Sequence, residues 1–188
     1  MPTDARVVVC PAGPGPLEIH DIALPDPSPY QVVVKQFASG VCHSQLHQMH
    51  GPRPSAAVLG HESTGVVIAA GSEVKHVTEG DHVMVTWVPR DPNTTRKPDA
   101  VTLQLNDGSV ARSQGVFTWA DITLVDEQFV VALPKDAPID VTAIIGCAVM
   151  TGSGAVYHTA AVREGESVAV FGVGGVGLSA IAAAAVIG

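Results

Sequence analysis

The run Gly60-His61-Glu62-Ser63-Thr64-Gly65, continuing through Val66-Val67-Ile68-Ala69-Ala70 to Gly71, sets the strictest condition on the fold. It places an imidazole beside a carboxylate at the mouth of an apolar, glycine-rich strand, and few residues elsewhere suit joining that imidazole on a metal. One is Cys42 in Gly40-Val41-Cys42-His43-Ser44-Gln45-Leu46-His47; the other is Cys147 in Gly146-Cys147-Ala148-Val149-Met150-Thr151-Gly152. Two thiolates and an imidazole are borderline-soft ligands that suit tetrahedral zinc and leave its fourth position for water or substrate. A chain that uses them must bring residues 42, 61 and 147 to one point. Any one of the three alone reads more simply as a buried cysteine or a hydrogen-bonded histidine. Together they point to a catalytic zinc site, with Glu62, Gln45 and Thr64 close enough in sequence to orient the ligands.

The rest of the first 150 residues is punctuated for β-structure. Residues 5–10, 17–24 and 30–38 are runs rich in Val and Ile, separated by Pro11-Ala12-Gly13-Pro14-Gly15-Pro16 and Pro25-Asp26-Pro27-Ser28-Pro29, and read as strands joined by turns. One or two helical turns are expected from Cys42 to His50, and further strands at 66–70, 82–87, 117–125 and 128–133. Residues 88–115 are polar, with Asn106-Asp107-Gly108 marking the turn of a hairpin. The pattern predicts a small, mostly antiparallel, barrel-like domain. Ser44 and His47 are three residues apart and share a helical face, so a hydroxyl and an imidazole there can relay a proton outward. His43 can present positive character to a phosphate.

From Asp136 the pattern changes. Residues 140–150 and 154–162 read as helical, and Ser167-Val168-Ala169-Val170-Phe171 reads as a buried strand running into Gly172-Val173-Gly174-Gly175-Val176-Gly177 and an alanine-rich helix to Ile187. Gly172, Gly174 and Gly177 fit G-x-G-x-x-G. Strand, glycine turn and helix open a dinucleotide-binding fold, in which the helix N-terminus receives a pyrophosphate. A single parallel strand with one helix cannot cover its own faces, so the polypeptide is expected to continue past Gly188 or to borrow a partner.

Composition narrows the partners. A net charge of -8 with only ten scattered Lys and Arg argues against nucleic acid. No apolar run reaches the ~20 residues that span a bilayer, and the N-terminus lacks an export signal, so no membrane association is expected. Three widely spaced cysteines do not form a secreted disulfide framework, and a reducing cytoplasmic location is the simpler expectation.

Gly-His-Glu-x-x-Gly with Gly71 and Val74 beyond it, Gly40-Val41-Cys42-His43-Ser44, Gly146-Cys147 and the glycine turn together resemble the zinc-dependent medium-chain alcohol dehydrogenases. The resemblance covers nearly all 188 residues. It implies an α+β N-terminal part, a GroES-like partly open β-barrel over residues 1–150. The linker helix and the start of a Rossmann domain would occupy 151–188. It further implies NAD or NADP as cofactor, a small-molecule alcohol or aldehyde as substrate, and a homo-oligomer at full length. Cys42, His61 and Cys147 would be the zinc ligands, Ser44 and His47 the proton relay, and Gln45 and Glu62 supports of the ligands. His43, Thr151, Gly172, Gly174, Gly175, Val176 and Gly177 would contact the cofactor, and Trp87 the substrate.

Two departures stand out. Many members carry Asp where Gln45 stands, and many hold a structural zinc in a four-cysteine lobe after the strand ending at Trp87. No cysteine lies between Trp87 and Cys147 here, so one catalytic zinc and no structural zinc are expected. Two alternatives carry different chemistry: a zinc-free quinone or enal reductase on the same scaffold, whose members lack the Cys and His ligands, and a truncated, non-catalytic zinc-binding chain.

Overall fold

The computed structural model describes residues 3–113 and 115–188. Met1 and Pro2, at the start expected to carry no export signal, and Gln114, inside the polar 88–115 stretch, lie outside the described residues. The apolar runs form β1 (Thr3–Cys10), β2 (Glu18–Leu24), β3 (Gln31–Ser39), β4 (Ala56–Val58), β5 (Ser63–Ala70) and β6 (His82–Val85). Then come β7 (Thr102–Gln104), β8 (Val110–Arg112), β9 (Ile122–Asp126) and β10 (Val130–Ala132). They build two five-stranded sheets, ordered β2-β1-β4-β8-β7 and β10-β6-β5-β3-β9. A bridge between Val7 and Ala120 and the bond from Val8 N–H to the Trp119 carbonyl, 2.8 Å, join them into a nearly closed barrel.

Strand β3 divides the interior. Its side chains alternate, so Val33 packs with Val7, Leu24, Leu103, Phe117 and Leu124, while Val32 and Val34 pack with Val67, Val83, Val85 and Val125. Each such buried side chain contributes about 1.5–3 kcal/mol over leaving it in water. Helix α1 (His43–His50) follows β3 directly.

The polar stretch contains the expected hairpin, β7 and β8 about Gly108. Ahead of it, residues 88–99 are fastened to β9 by Arg96, whose two Nη atoms lie 2.7 and 2.6 Å from the two oxygens of the fully buried Asp126. Asp126 also accepts the Asp99 N–H at 2.8 Å.

The structure departs from the sequence reading at four places. Strand β4 was not expected: it has three residues, too few for periodicity, and exists because β1 and β8 flank it. Residues 117–121 are not a strand but an irregular segment, in which Thr118 and Trp119 N–H both donate to the Leu59 carbonyl and only Ala120 makes a β-bridge. Helix 140–150 is a 3-10 turn (Val141–Ile144) followed by a wide π turn (Ile145–Val149), and only α2 (Met150–Gly154) is regular before a second π turn, Ala155–Thr159. Residues 167–171 make no sheet pairing and Phe171 is 98% exposed, because a parallel strand forms only against neighbours. The glycine turn and the helix after it, α3 (Gly175–Ile187), are present. No helix of the described residues is long and apolar enough to cross a membrane.

Candidate metal centre

Three separate elements deliver the soft donors. Cys42 is the extended residue capping the N-terminus of α1, His61 sits between β4 and β5, and Cys147 lies in the first π turn. In that turn the Thr86 hydroxyl donates to the Gly146 carbonyl at 2.6 Å, and the Met150 N–H reaches the Ile145 and Cys147 carbonyls. The donor atoms of Cys42, His61 and Cys147 all lie within 4.8 Å of one another. His61 Nε2 is 3.2 Å from Cys147 Sγ, and the two sulfurs are 3.9 Å apart. Zinc bond lengths of 2.3 Å to sulfur and 2.0–2.1 Å to nitrogen imply, in a tetrahedron, about 3.8 Å between sulfurs and about 3.6 Å between sulfur and nitrogen. The donor set and its spacing therefore fit one zinc ion.

The electrostatics fit as well. Burial pushes the Cys147 thiol up to about 11, with further upward push from Cys42 and Glu62. Burial also raises the Glu62 carboxyl, opposed by its bond from the Ala148 N–H, and burial lowers His61. Two sulfurs, a carboxyl and a neutral imidazole are thus gathered where a cation would relieve the cost of charging them.

Glu62 and Gln45 support the ligands in different ways. Gln45, 1% exposed, lies with its Oε1 2.8 Å from the Cys42 N–H and its Nε2 2.6 Å from His61 Nδ1. Glu62, 2% exposed, does not bond the His61 ring; it accepts the N–H of Ala148, next to Cys147, at 3.4 Å. Gly40 is required beside it, since a Cβ there would run into the Glu62 carboxyl. Thr64 belongs elsewhere, its hydroxyl donating to the Ile139 carbonyl at 2.5 Å.

All three donors line one cleft of about 750 Å³. Ser44, His47 and Trp87 also line it, Trp87 half-exposed with its ring 6.4 Å from that of His61. His43 is exposed and meets the His47 ring edge-on at 4.9 Å. Sequence reasoning missed Arg53, which lines the same cleft and donates from Nη1 to Cys10 Sγ at 3.1 Å and to the Gly15 carbonyl at 3.4 Å. The signal was a lone cation between Pro52 and Pro54, just upstream of His61.

The glycine turn abuts the centre. Gly172 adopts φ +99°, a left-handed conformation that favours glycine, and Gly174 caps α3. Gly175 packs so that a Cβ on it would sit 3.2 Å from Ala148 Cβ, and Gly152 of α2 lies against the backbone of Val176. Thr151 and Val176 are exposed, and Gly177, within α3, is half-buried against the Gly172 carbonyl.

Residues 28–135 match the family model of the alcohol dehydrogenase GroES-like domain. The chain is 36% identical to an S-(hydroxymethyl)glutathione dehydrogenase of Photobacterium damsela subsp. piscicida, over 90% of this chain and 53% of the relative. It is 32% identical to the alcohol dehydrogenase class-3 of Dictyostelium discoideum, over 95% and 55%. Among solved structures, an alcohol dehydrogenase zinc-binding domain protein from Burkholderia ambifaria superposes with a TM-score of 0.88 at 30% identity, covering 100% of this chain and 57% of that one. Benzyl alcohol dehydrogenase from Acinetobacter calcoaceticus gives 0.84 at 27%, covering 99% and 56%. The chain spans about half the length of the curated relatives it matches.

Proposed function

The chain belongs to the zinc-type medium-chain alcohol dehydrogenase family, and from that premise we propose that the full-length protein interconverts an alcohol and its aldehyde or ketone, exchanging hydride with NAD or NADP. The observation that carries this reading is the meeting of Cys42, His61 and Cys147 at one cleft. It favours the zinc-type reaction over a zinc-free quinone or enal reduction, for which those ligands are not needed.

Cys42, His61 and Cys147 would hold one zinc, which when bound acts as a Lewis acid toward the substrate oxygen. Glu62 keeps the Cys147 turn in place through Ala148, and Gln45 ties His61 to the start of α1. In oxidation, Ser44 Oγ accepts the hydroxyl proton as its own proton passes to the His47 ring, which is exposed and hands it to water. Trp87 forms an apolar wall for the carbon being oxidised.

Residues 1–150 would be the catalytic domain and 151–188 the start of the nucleotide-binding one. There, N–H groups of the turn at Gly172, Gly174, Gly175 and Gly177 suit a pyrophosphate at the start of α3, with His43 supplying positive character. Thr151 and Val176 would border the nicotinamide. The exposed Phe171, Val173, Leu178 and Val186 suit coverage by the further strands of a complete nucleotide domain. Three free cysteines suit a cytoplasmic setting.

The test is a zinc assay together with cofactor-reduction kinetics on the full-length protein, over primary, secondary and aromatic alcohols. The reading expects one zinc and reduction of NAD or NADP with at least one alcohol class. Zinc-loaded protein that reduces neither cofactor with any of them would refute it.

A further inference from the structure

The amide of Gln45 has its two ends committed to different partners. Its Oε1 end is 2.8 Å from the Cys42 N–H, and its Nε2 end is 2.6 Å from His61 Nδ1. A backbone N–H can only donate, so the end facing Cys42 must be the oxygen, whichever way the amide atoms are labelled. The NH2 end therefore faces His61, and an amide nitrogen offers no lone pair. Nδ1 has to accept, which puts the ring proton on Nε2, where it donates to Cys147 Sγ at 3.2 Å. Donor meets acceptor at every joint from Cys42 through Gln45 and His61 to Cys147.

We infer that Gln45 locks metal-free His61 in the Nε2–H tautomer, and thereby makes zinc binding at this centre weaker than a carboxylate at the same position would. The inference rests on the proposed metal centre. Nε2 is the ring atom that faces Cys147, and it can ligate only when the proton sits on Nδ1 instead. An Nδ1–H would then point at the Gln45 NH2. Rotating the amide relieves that contact but sets the NH2 against the Cys42 N–H. With Gln45 only 1% exposed, bulk solvent does not reach the two facing donors, and their clash carries the cost of an unsatisfied buried group in either arrangement. A carboxylate accepts from both the Cys42 N–H and Nδ1–H at once. Gln45 is thus a positioning residue whose preferred network belongs to the metal-free state.

The test uses the full-length protein labelled with 15N at histidine. In metal-free parent protein, long-range proton–nitrogen correlation is expected to show His61 as Nε2–H; in Gln45→Glu it shifts to Nδ1–H. Zinc affinity measured by competition with a chelator rises about 10- to 100-fold in Gln45→Glu, the scale on which partners of a ligating histidine act. Nδ1–H in a metal-free parent that does bind zinc would overturn the inference while leaving the metal centre intact. Equal affinity in parent and a folded Gln45→Glu would overturn it as well. Failure of both proteins to bind zinc would overturn the affinity claim together with the proposed function, and the tautomer of the parent is read without relying on the variant.

Discussion

The Glu62 carboxylate accepts the backbone N–H of Ala148 at 3.4 Å, so the residue after one candidate ligand holds the turn that carries another. The contact crosses from the barrel to the π turn and spans 86 positions of sequence. Removing the carboxylate frees the turn without touching any donor atom. Glu62→Ala is therefore expected to weaken zinc binding about 10- to 100-fold by chelator competition, with the protein still folded by circular dichroism. Unchanged affinity would show that the turn holds Cys147 without help.

Ligand and relay residues separate in a paired experiment. Cys42→Ser loses zinc by elemental analysis, because a neutral hydroxyl replaces a thiolate. Ser44→Ala keeps its zinc and loses turnover by about 10²- to 10⁴-fold, the range of a positioned proton-transfer group. A Ser44→Ala protein as fast as its parent would remove Ser44 from the reaction.

Zinc uptake should release protons. The Cys147 thiol, pushed up to about 11 by burial and then by Cys42 and Glu62, is protonated at pH 7.5 in the metal-free protein and must lose that proton to ligate. Burial lowers His61, so the ring is neutral there and contributes none. Titrating zinc into weakly buffered metal-free protein is expected to release at least one proton per ion, with affinity falling as the pH is lowered. Zero release would contradict a thiol at Cys147.

The clip between Arg96 and Asp126 is a stability prediction independent of metal. Burial pushes the Asp126 carboxyl up, but the Arg96 guanidinium and the N–H groups of Gln128 and Asp99 outweigh it, and the net shift is downward. A lowered folded value stabilises above the unfolded value of about 3.9 and ceases to as the pH falls through the folded one. Arg96→Met leaves a buried carboxylate without its cation, at a cost of about 3–5 kcal/mol at pH 7. Urea melts at pH 7 and pH 3.5 check this: the deficit narrows at the lower pH. A variant as stable as its parent at pH 7 would contradict it.

What was legible in the sequence follows from what leaves a local mark. Soft donors are rare residue types, so Cys42, His61 and Cys147 could be matched without knowing the path between them, and glycine spacing marked the turn at 172–177. Strands long enough to alternate, such as β1 and β3, were visible for the same reason. The three-residue β4 and the irregular segment at 117–121 are held by distant partners, the first by β1 and β8 and the second by the Leu59 carbonyl. The π turn at Cys147 is bonded through the Gly146 carbonyl to Thr86, sixty positions away. The orientation of the Gln45 amide is set by a single backbone N–H, and no residue pattern announces it.

X-ray absorption at the zinc edge of the purified full-length protein tests the central claim most directly. The account predicts one zinc per chain with two sulfur neighbours near 2.3 Å, one imidazole nitrogen and one light-atom neighbour. A protein without zinc, or a spectrum lacking sulfur around the ion, would contradict it.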